Sequence, residues 1–117
     1  MAAPNIVNVS TITGKTAVLA VTTSATAIVT NSAASNKVFK VNALYVANID
    51  GTNAATVNVD IFRSSVAYRI AQVVSVPAGS TLDIISKSIY LEEGDSLRLT
   101  ASANSRLEAV CSYEDIS

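Results

Sequence analysis

The sequence contains no histidine, and this absence removes several kinds of chemistry at once. Histidine is the commonest general base in enzymes, the base of the Ser-His-Asp and Cys-His systems, and a frequent metal ligand. The chain also has no glycine-rich phosphate loop and no dinucleotide-binding fingerprint. We therefore predict a protein that is not an enzyme and that needs no cofactor.

Cysteine is nearly absent, since Cys111 is the single one in the chain. A disulfide bond within the chain is therefore excluded. In a strand, Cys111 would share a face with Leu107, Ala109 and Tyr113. This pattern predicts a small buried hydrophobic side chain rather than a reactive thiol.

Charge is scarce and balanced: eight Lys and Arg against nine Asp and Glu give a formal net charge of −1 over 117 residues. The basic residues are scattered, so we predict no nucleic-acid partner. No apolar run approaches the ~18 residues of a transmembrane helix, and the N-terminus lacks the cationic and apolar regions of a signal peptide. No membrane partner is therefore expected.

Aromatic residues make up only 5% of the chain, and tryptophan is absent. The core is therefore predicted to consist mainly of Val, Ile and Leu. Tyrosine can stack on sugars or bases, but half-buried positions in the core or at an interface account better for these residues. The predicted aromatic anchors are Phe39, Tyr45, Phe62, Tyr68 and Tyr90.

Apolar residues recur with period two, as in Val57, Val59 and Ile61, and no segment has the period of an amphipathic helix. We predict an all-β, antiparallel two-sheet β-sandwich of jelly-roll type with an extended N-terminal arm. Residues 1–13 form the arm or a first strand, and residues 14–117 form one domain. The predicted strands are 6–13, 16–21, 26–30, 37–48, 55–63, 67–76, 81–85, 88–91, 96–101 and 106–114.

All four glycines, Gly14, Gly51, Gly79 and Gly94, are predicted in turns. Two strands depart from simple alternation. From Val41 onward, the strand 37–48 carries apolar residues at both odd and even positions. This pattern predicts that both of its faces are buried, the outer one under a loop or a neighbouring subunit. In the strand 67–76, the apolar parity shifts within the pair Val73-Val74, which predicts a β-bulge.

Carboxylates cluster in one turn, formed by Glu92, Glu93 and Asp95. Oxygen ligands in a short loop are compatible with a Ca²⁺ site, and these three are the candidate metal ligands. A solvated hairpin turn accounts for them better. A second oxygen-rich loop is first of all a hairpin turn signalled by Asp-Gly; its residues are Asn48, Asp50, Thr52 and Asn53.

Several segments together resemble the small β-sandwich virion proteins of tailed phages, cyanophages in particular. The resemblance covers the chain from about residue 38 to its end and rests on general sequence style rather than on a catalytic motif. It is carried by residues 44–53 (LYVANIDGTN), 56–62 (TVNVDIF), 76–82 (VPAGSTL), 90–97 (YLEEGDSL) and 107–117.

The resemblance implies a non-enzymatic structural subunit that is located in the virion and assembled in the host cytoplasm. The expected role is a capsid decoration (cement) protein that bridges capsomers, with the major capsid protein or other virion proteins as partners. A homo-oligomer, either a trimer or a ring, is expected. The alternatives are a neck or tail accessory protein, or a carbohydrate- or receptor-binding module with exposed aromatic residues.

Overall fold

A computed structural model, which describes residues 9–117, shows nine β-strands in two antiparallel sheets. The all-β sandwich expected from the alternating apolar pattern is therefore confirmed. The strands are β1 (Ile12–Val21), β2 (Thr26–Thr30), β3 (Val38–Asn48), β4 (Ala55–Arg63), β5 (Val66–Val76), β6 (Thr81–Asp83), β7 (Ile89–Leu91), β8 (Ser96–Ala101) and β9 (Leu107–Ile116).

The order of the strands is that of a jelly roll. Sheet 1 runs β1-β9-β3, and both β6 and β7 pair with the far side of β3. Sheet 2 runs β2-β8-β4-β5. Because β6 and β7 share one strand position, the nine strands fill the eight positions of two interlocked Greek keys. The first of the described strands, β1, thus lies beside the last, β9.

An aliphatic core fills the space between the two sheets. Val41, Leu44 and Val46 of β3 face it from sheet 1, and β4 and β8 supply similar residues from sheet 2. Burial of one such side chain is worth about 2 kcal/mol, so this layer dominates the stability of the fold. The completely buried residues of sheet 2 are Val57, Val59, Val76, Leu97 and Leu99.

The beginning of β1 differs from the sequence-based expectation. Gly14 does not lie in a turn but within β1, where it pairs with Glu114 of β9. Ten consecutive pairs with β9 outweigh the weak local preference of one glycine, because strand formation depends mainly on neighbouring strands. Residues 10–13 of the expected arm or first strand run along β9, and residues 1–8 lie outside the described part of the chain.

Within residues 9–117, strand β3 is buried on one face only, so the expectation that a loop covers its other face is wrong. Cover by a neighbouring subunit stays a prediction. The register with β9 shifts between Val41 and Ala43, which places Asn42 in a bulge. This extra residue reverses the parity, so Val41 and Leu44 both face the core although they are three positions apart. The outward Tyr45 remains exposed.

The predicted bulge at Val73-Val74 is confirmed. The register between β4 and β5 shifts twice, and Val73 adopts a left-handed backbone conformation with φ of 50°. Its amide donates a hydrogen bond of 2.7 Å to Oδ1 of Asn58. The bulge turns Val73 towards solvent while Val74 packs against the core.

The turn between β4 and β5 is strained, and relieving the strain should stabilise the protein. Ser64 and Ser65 both have positive φ, 52° and 62°, a conformation in which Asn-Gly is favoured. The double substitution Ser64→Asn and Ser65→Gly should raise the free energy of unfolding by about 1 kcal/mol. Denaturant titration measures this free energy. The control Ser75→Gly, in an extended part of β5, should lower it by about 1 kcal/mol.

Candidate interaction surface

The acidic turn between β7 and β8 is organised by an arginine. Asp95 is only 1% exposed, although it lies in a turn. Arg63, at the end of β4, donates from Nε to Oδ1 of Asp95 at 2.7 Å and from Nη2 to Oδ2. The backbone amide of Glu92 also donates to Oδ2 at 2.8 Å, and the carboxylate of Glu92 lies 2.9 Å from Nη2 of Arg63. This arrangement fastens the β4–β5 hairpin to the β7–β8 turn.

The three candidate metal ligands do not converge on one point. Oε2 of Glu93 accepts a hydrogen bond from the backbone amide of Asn36 at 3.1 Å, away from the Arg63 pair. Within residues 9–117, no group of three or more His, Cys, Asp or Glu side chains is placed to hold a metal ion. Arg63 supplies the positive charge that a Ca²⁺ ion would supply. The turn also differs from a fully solvated one, because Asp95 is buried.

Two asparagines have a structural role that the sequence does not predict, because both are buried. Asn48 donates from Nδ2 to the carbonyls of Asn53 and Val76, at 2.9 and 3.0 Å. At the opposite end of β3, Asn31 donates from Nδ2 to the carbonyls of Lys37 and Leu91, at 2.9 and 3.0 Å. An asparagine next to a predicted turn is the one feature of the sequence that could indicate this role. Its acceptors Leu91 and Val76 are far away in the sequence, so they can be identified only from the topology.

The loop after Asn48 is a hydrogen-bonded turn. Oδ1 of Asp50 accepts from the backbone amides of Thr52 and Asn53, at 2.8 and 3.1 Å. These hydrogen bonds, together with one from the side chain of Asn53, lower the pKa of Asp50 below its ordinary value. The oxygen-rich composition of this loop is therefore explained by the turn.

A second buried carboxylate lies on the outward face of sheet 2. Asp60 is buried beneath two arginines: Arg98 donates from Nε to Oδ1 at 2.9 Å, and Arg69 lies 3.8 Å from Oδ2. The guanidinium of Arg98 also stacks 3.9 Å above the ring of Phe62. The sequence did not predict this cluster, because pairing across β5, β4 and β8 brings it together.

An exposed apolar surface lies on the outward face of sheet 1. Val18, Val110 and Tyr45 are aligned across β1, β9 and β3 by the strand register, and their exposed fractions are 74, 39 and 44%. We call these three side chains the apolar row. Tyr68 on β5 and Tyr90 on β7 are also exposed. These three tyrosines therefore do not anchor the core, and their expected place at an interface stays a prediction.

Cys111 lies in the core, as the strand parity predicted. It is fully buried between the sheets, and burial raises the pKa of its thiol to about 11. The thiol is therefore protonated and inaccessible at neutral pH.

The Arg63–Asp95 pair should make stability depend on acid pH. Burial opposes ionisation of Asp95, but the hydrogen bonds from Arg63 and from the amide of Glu92 outweigh it, so its pKa is lowered. A carboxyl with a lowered folded-state pKa stabilises the fold above its unfolded pKa, and this contribution is lost as pH falls through the folded value. Asp95→Asn should therefore lower the free energy of unfolding by about 2 kcal/mol at neutral pH.

The difference between the wild type and Asp95→Asn should shrink below about pH 4, where the unfolded carboxyl becomes protonated. Denaturant titrations at a series of pH values measure this difference. The control Asp83→Asn removes an exposed carboxylate on β6 and should change stability little. A constant difference down to the lowest pH would contradict the role given to the ionised Asp95.

The thiol of Cys111 should not react with maleimide in the folded protein, because it is buried and protonated. Mass spectrometry should show no adduct under native conditions and complete modification in denaturant. Rapid modification of the native protein would show that the two sheets separate readily at this position.

None of the known protein-family models and none of the curated proteins matches this sequence. A solved structure from work on Bacillus endospore appendages, which form a novel family of disulfide-linked pili, is similar in fold. It superposes with a TM-score of 0.54 at 15% sequence identity, over 92% of this chain and 88% of that one. At this identity, the similarity shows a shared β-sandwich architecture.

Proposed function

We propose that this chain is a non-enzymatic structural subunit of a phage virion, acting as a capsid decoration protein that bridges capsomers. The observation that carries the proposal is the apolar row of Val18, Val110 and Tyr45, exposed on the outward face of a sheet whose other face is packed. A rigid sheet with such a face is suited to binding another surface without rearrangement. The sequence resemblance to virion proteins of tailed phages supports the choice of partner.

In this proposal the apolar row docks on the major capsid protein or on another virion protein. Each docking contact is small, but many identical contacts on one particle reinforce one another, since neighbouring attachments raise the effective concentration. The subunit therefore contributes rigidity and surface burial, and no catalytic step is involved. Its site of action is the virion, where it arrives during assembly in the host cytoplasm.

The fold neighbour supports a structural role in general terms, because it comes from pili. Those pili are disulfide-linked, whereas this chain has one cysteine, Cys111, and it is buried between the sheets. The assembly proposed here is therefore held by noncovalent contacts. The same surface is also suited to a neck or tail accessory protein. The number of copies per particle distinguishes that role from capsid decoration.

A carbohydrate- or receptor-binding module is the second candidate function, and one observation favours it. Tyr45 and Tyr90 both project from the outward face of sheet 1 and are exposed. Exposed tyrosines provide apolar rings with a polar tip, which suits stacking on sugars. Glycan-array binding that is abolished by Tyr45→Ala would support this candidate.

Quantitative mass spectrometry of purified particles tests the leading proposal. A copy number comparable to that of the major capsid protein is expected for a decoration protein. A small fraction of that number would place the chain at the neck or tail. Absence from particles would overturn the virion proposal.

The apolar row can be tested with a matched pair of tyrosine substitutions. Tyr45→Asp places a charge in the row, which should weaken binding to particles about tenfold or more, because a buried unpaired charge is costly. Tyr68→Asp changes an exposed tyrosine of β5, outside the row, and should leave binding unchanged. A cosedimentation assay measures both, and equal binding by the two variants would exclude the row as the docking surface.

A further inference from the structure

The four outer edges of the two sheets differ in how well they are protected from pairing with another strand. Proteins usually blunt such edges with short strands, bulges, proline or charge. Strand β2 has five residues and a register shift between Ala27 and Val29. Strand β5 carries two register shifts, and β6 and β7 have three residues each. Three of the four edges are therefore blunted.

Strand β1 is the exception. It has ten residues, all paired in register with β9 and without a bulge. Within residues 9–117, no strand pairs with its other side. The strand contains no proline, and its side chains are mostly exposed.

The backbone groups that β1 presents at this open edge follow from one hydrogen-bonded pair. Thr11 and Ser117 exchange two hydrogen bonds, at 3.0 and 2.9 Å. Hydrogen-bonded and non-bonded pairs alternate along an antiparallel ladder, so the odd-numbered residues of β1 point their N–H and C=O groups towards β9. The residues whose backbone groups point to the open edge are Ile12, Gly14, Thr16, Val18 and Ala20.

Charge does not protect this edge either. Lys15 is the one charged residue of β1, and its ammonium lies 2.9 Å from the nearly buried carboxylate of Asp115. A lysine held in an ion pair on its own sheet is less able to repel an approaching strand. The edge is therefore long, regular and uncharged over Thr16–Val21.

We propose that β1 is a self-pairing edge, through which two copies of this chain join their first sheets antiparallel about a two-fold axis. A two-fold contact requires the strand to be complementary to itself. In antiparallel registers centred on Thr16, Ala17 or Val18, Lys15 faces Ala17, Leu19 or Val21 of the second copy, so no like charges meet.

This pairing extends the outward face on both sides, so that the apolar rows of the two copies lie on one continuous sheet. The dimer, rather than a trimer or a ring, would then be the building unit. The pairing uses backbone groups at the edge, whereas the virion proposal uses side chains on the face. Either one can fail without the other.

Sedimentation and light scattering on the purified chain test the pairing. The wild type should be a dimer. Thr16→Pro removes an N–H that points to the open edge while keeping every bond to β9, and it should halve the measured mass. Val18→Lys places like charges on the two paired strands, and it should raise the dimer dissociation constant about tenfold.

The matched control is Val73→Lys, the same change at an exposed valine on the bulged edge of β5. It should remain a dimer. Amide hydrogen exchange adds a second readout: protection of the Thr16 amide is expected in the dimer, and in Val18→Lys it should require about tenfold more protein. A monomeric wild type would overturn the proposal, as would dimers that persist in both β1 variants.

Discussion

Two buried asparagine side chains, one at each end of β3, hold the loops that carry the chain between the sheets. A jelly roll crosses repeatedly from one sheet to the other, and each crossing leaves backbone carbonyls beside an aliphatic core. Asn31 and Asn48 each satisfy two such carbonyls through one amide group. Since a buried carbonyl without a partner costs about 1–3 kcal/mol, these two side chains allow the core to close at both ends.

Buried carboxylates on the outer parts of the sandwich are also satisfied by side-chain partners, in this case basic ones. Asp60, Asp95 and Asp115 are all nearly buried, and each is paired with one or two basic side chains that remain partly exposed. The carboxylates fix the positions of neighbouring strands and turns, while the basic ends stay in contact with water. Only the carboxylate in each group is removed from water, so its basic partners add little to the cost of burying charge. Each negative charge also lies beside a positive one.

The fold was largely predictable, because period-two alternation is local information that survives in the final structure. Val57, Val59 and Ile61 are the clearest case. A change of parity is harder to interpret: the sequence indicates the bulge at Val73, whereas the bulge at Asn42 gives the same apolar pattern as burial on both faces. The partners of Asp95 and Asp60 were not predictable. They depend on which strands become neighbours, and this is decided by the packing of the whole chain.

Because β9 lies between β1 and β3, the strand that completes sheet 1 is also the last of the nine to be synthesised. Neither β1 nor β3 has its main partner until residues 107–116 have left the ribosome. Long-range pairings of this kind form slowly, since a long loop must close before any contact is gained. Loss of β9 would leave both β1 and β3 without the strand that joins them.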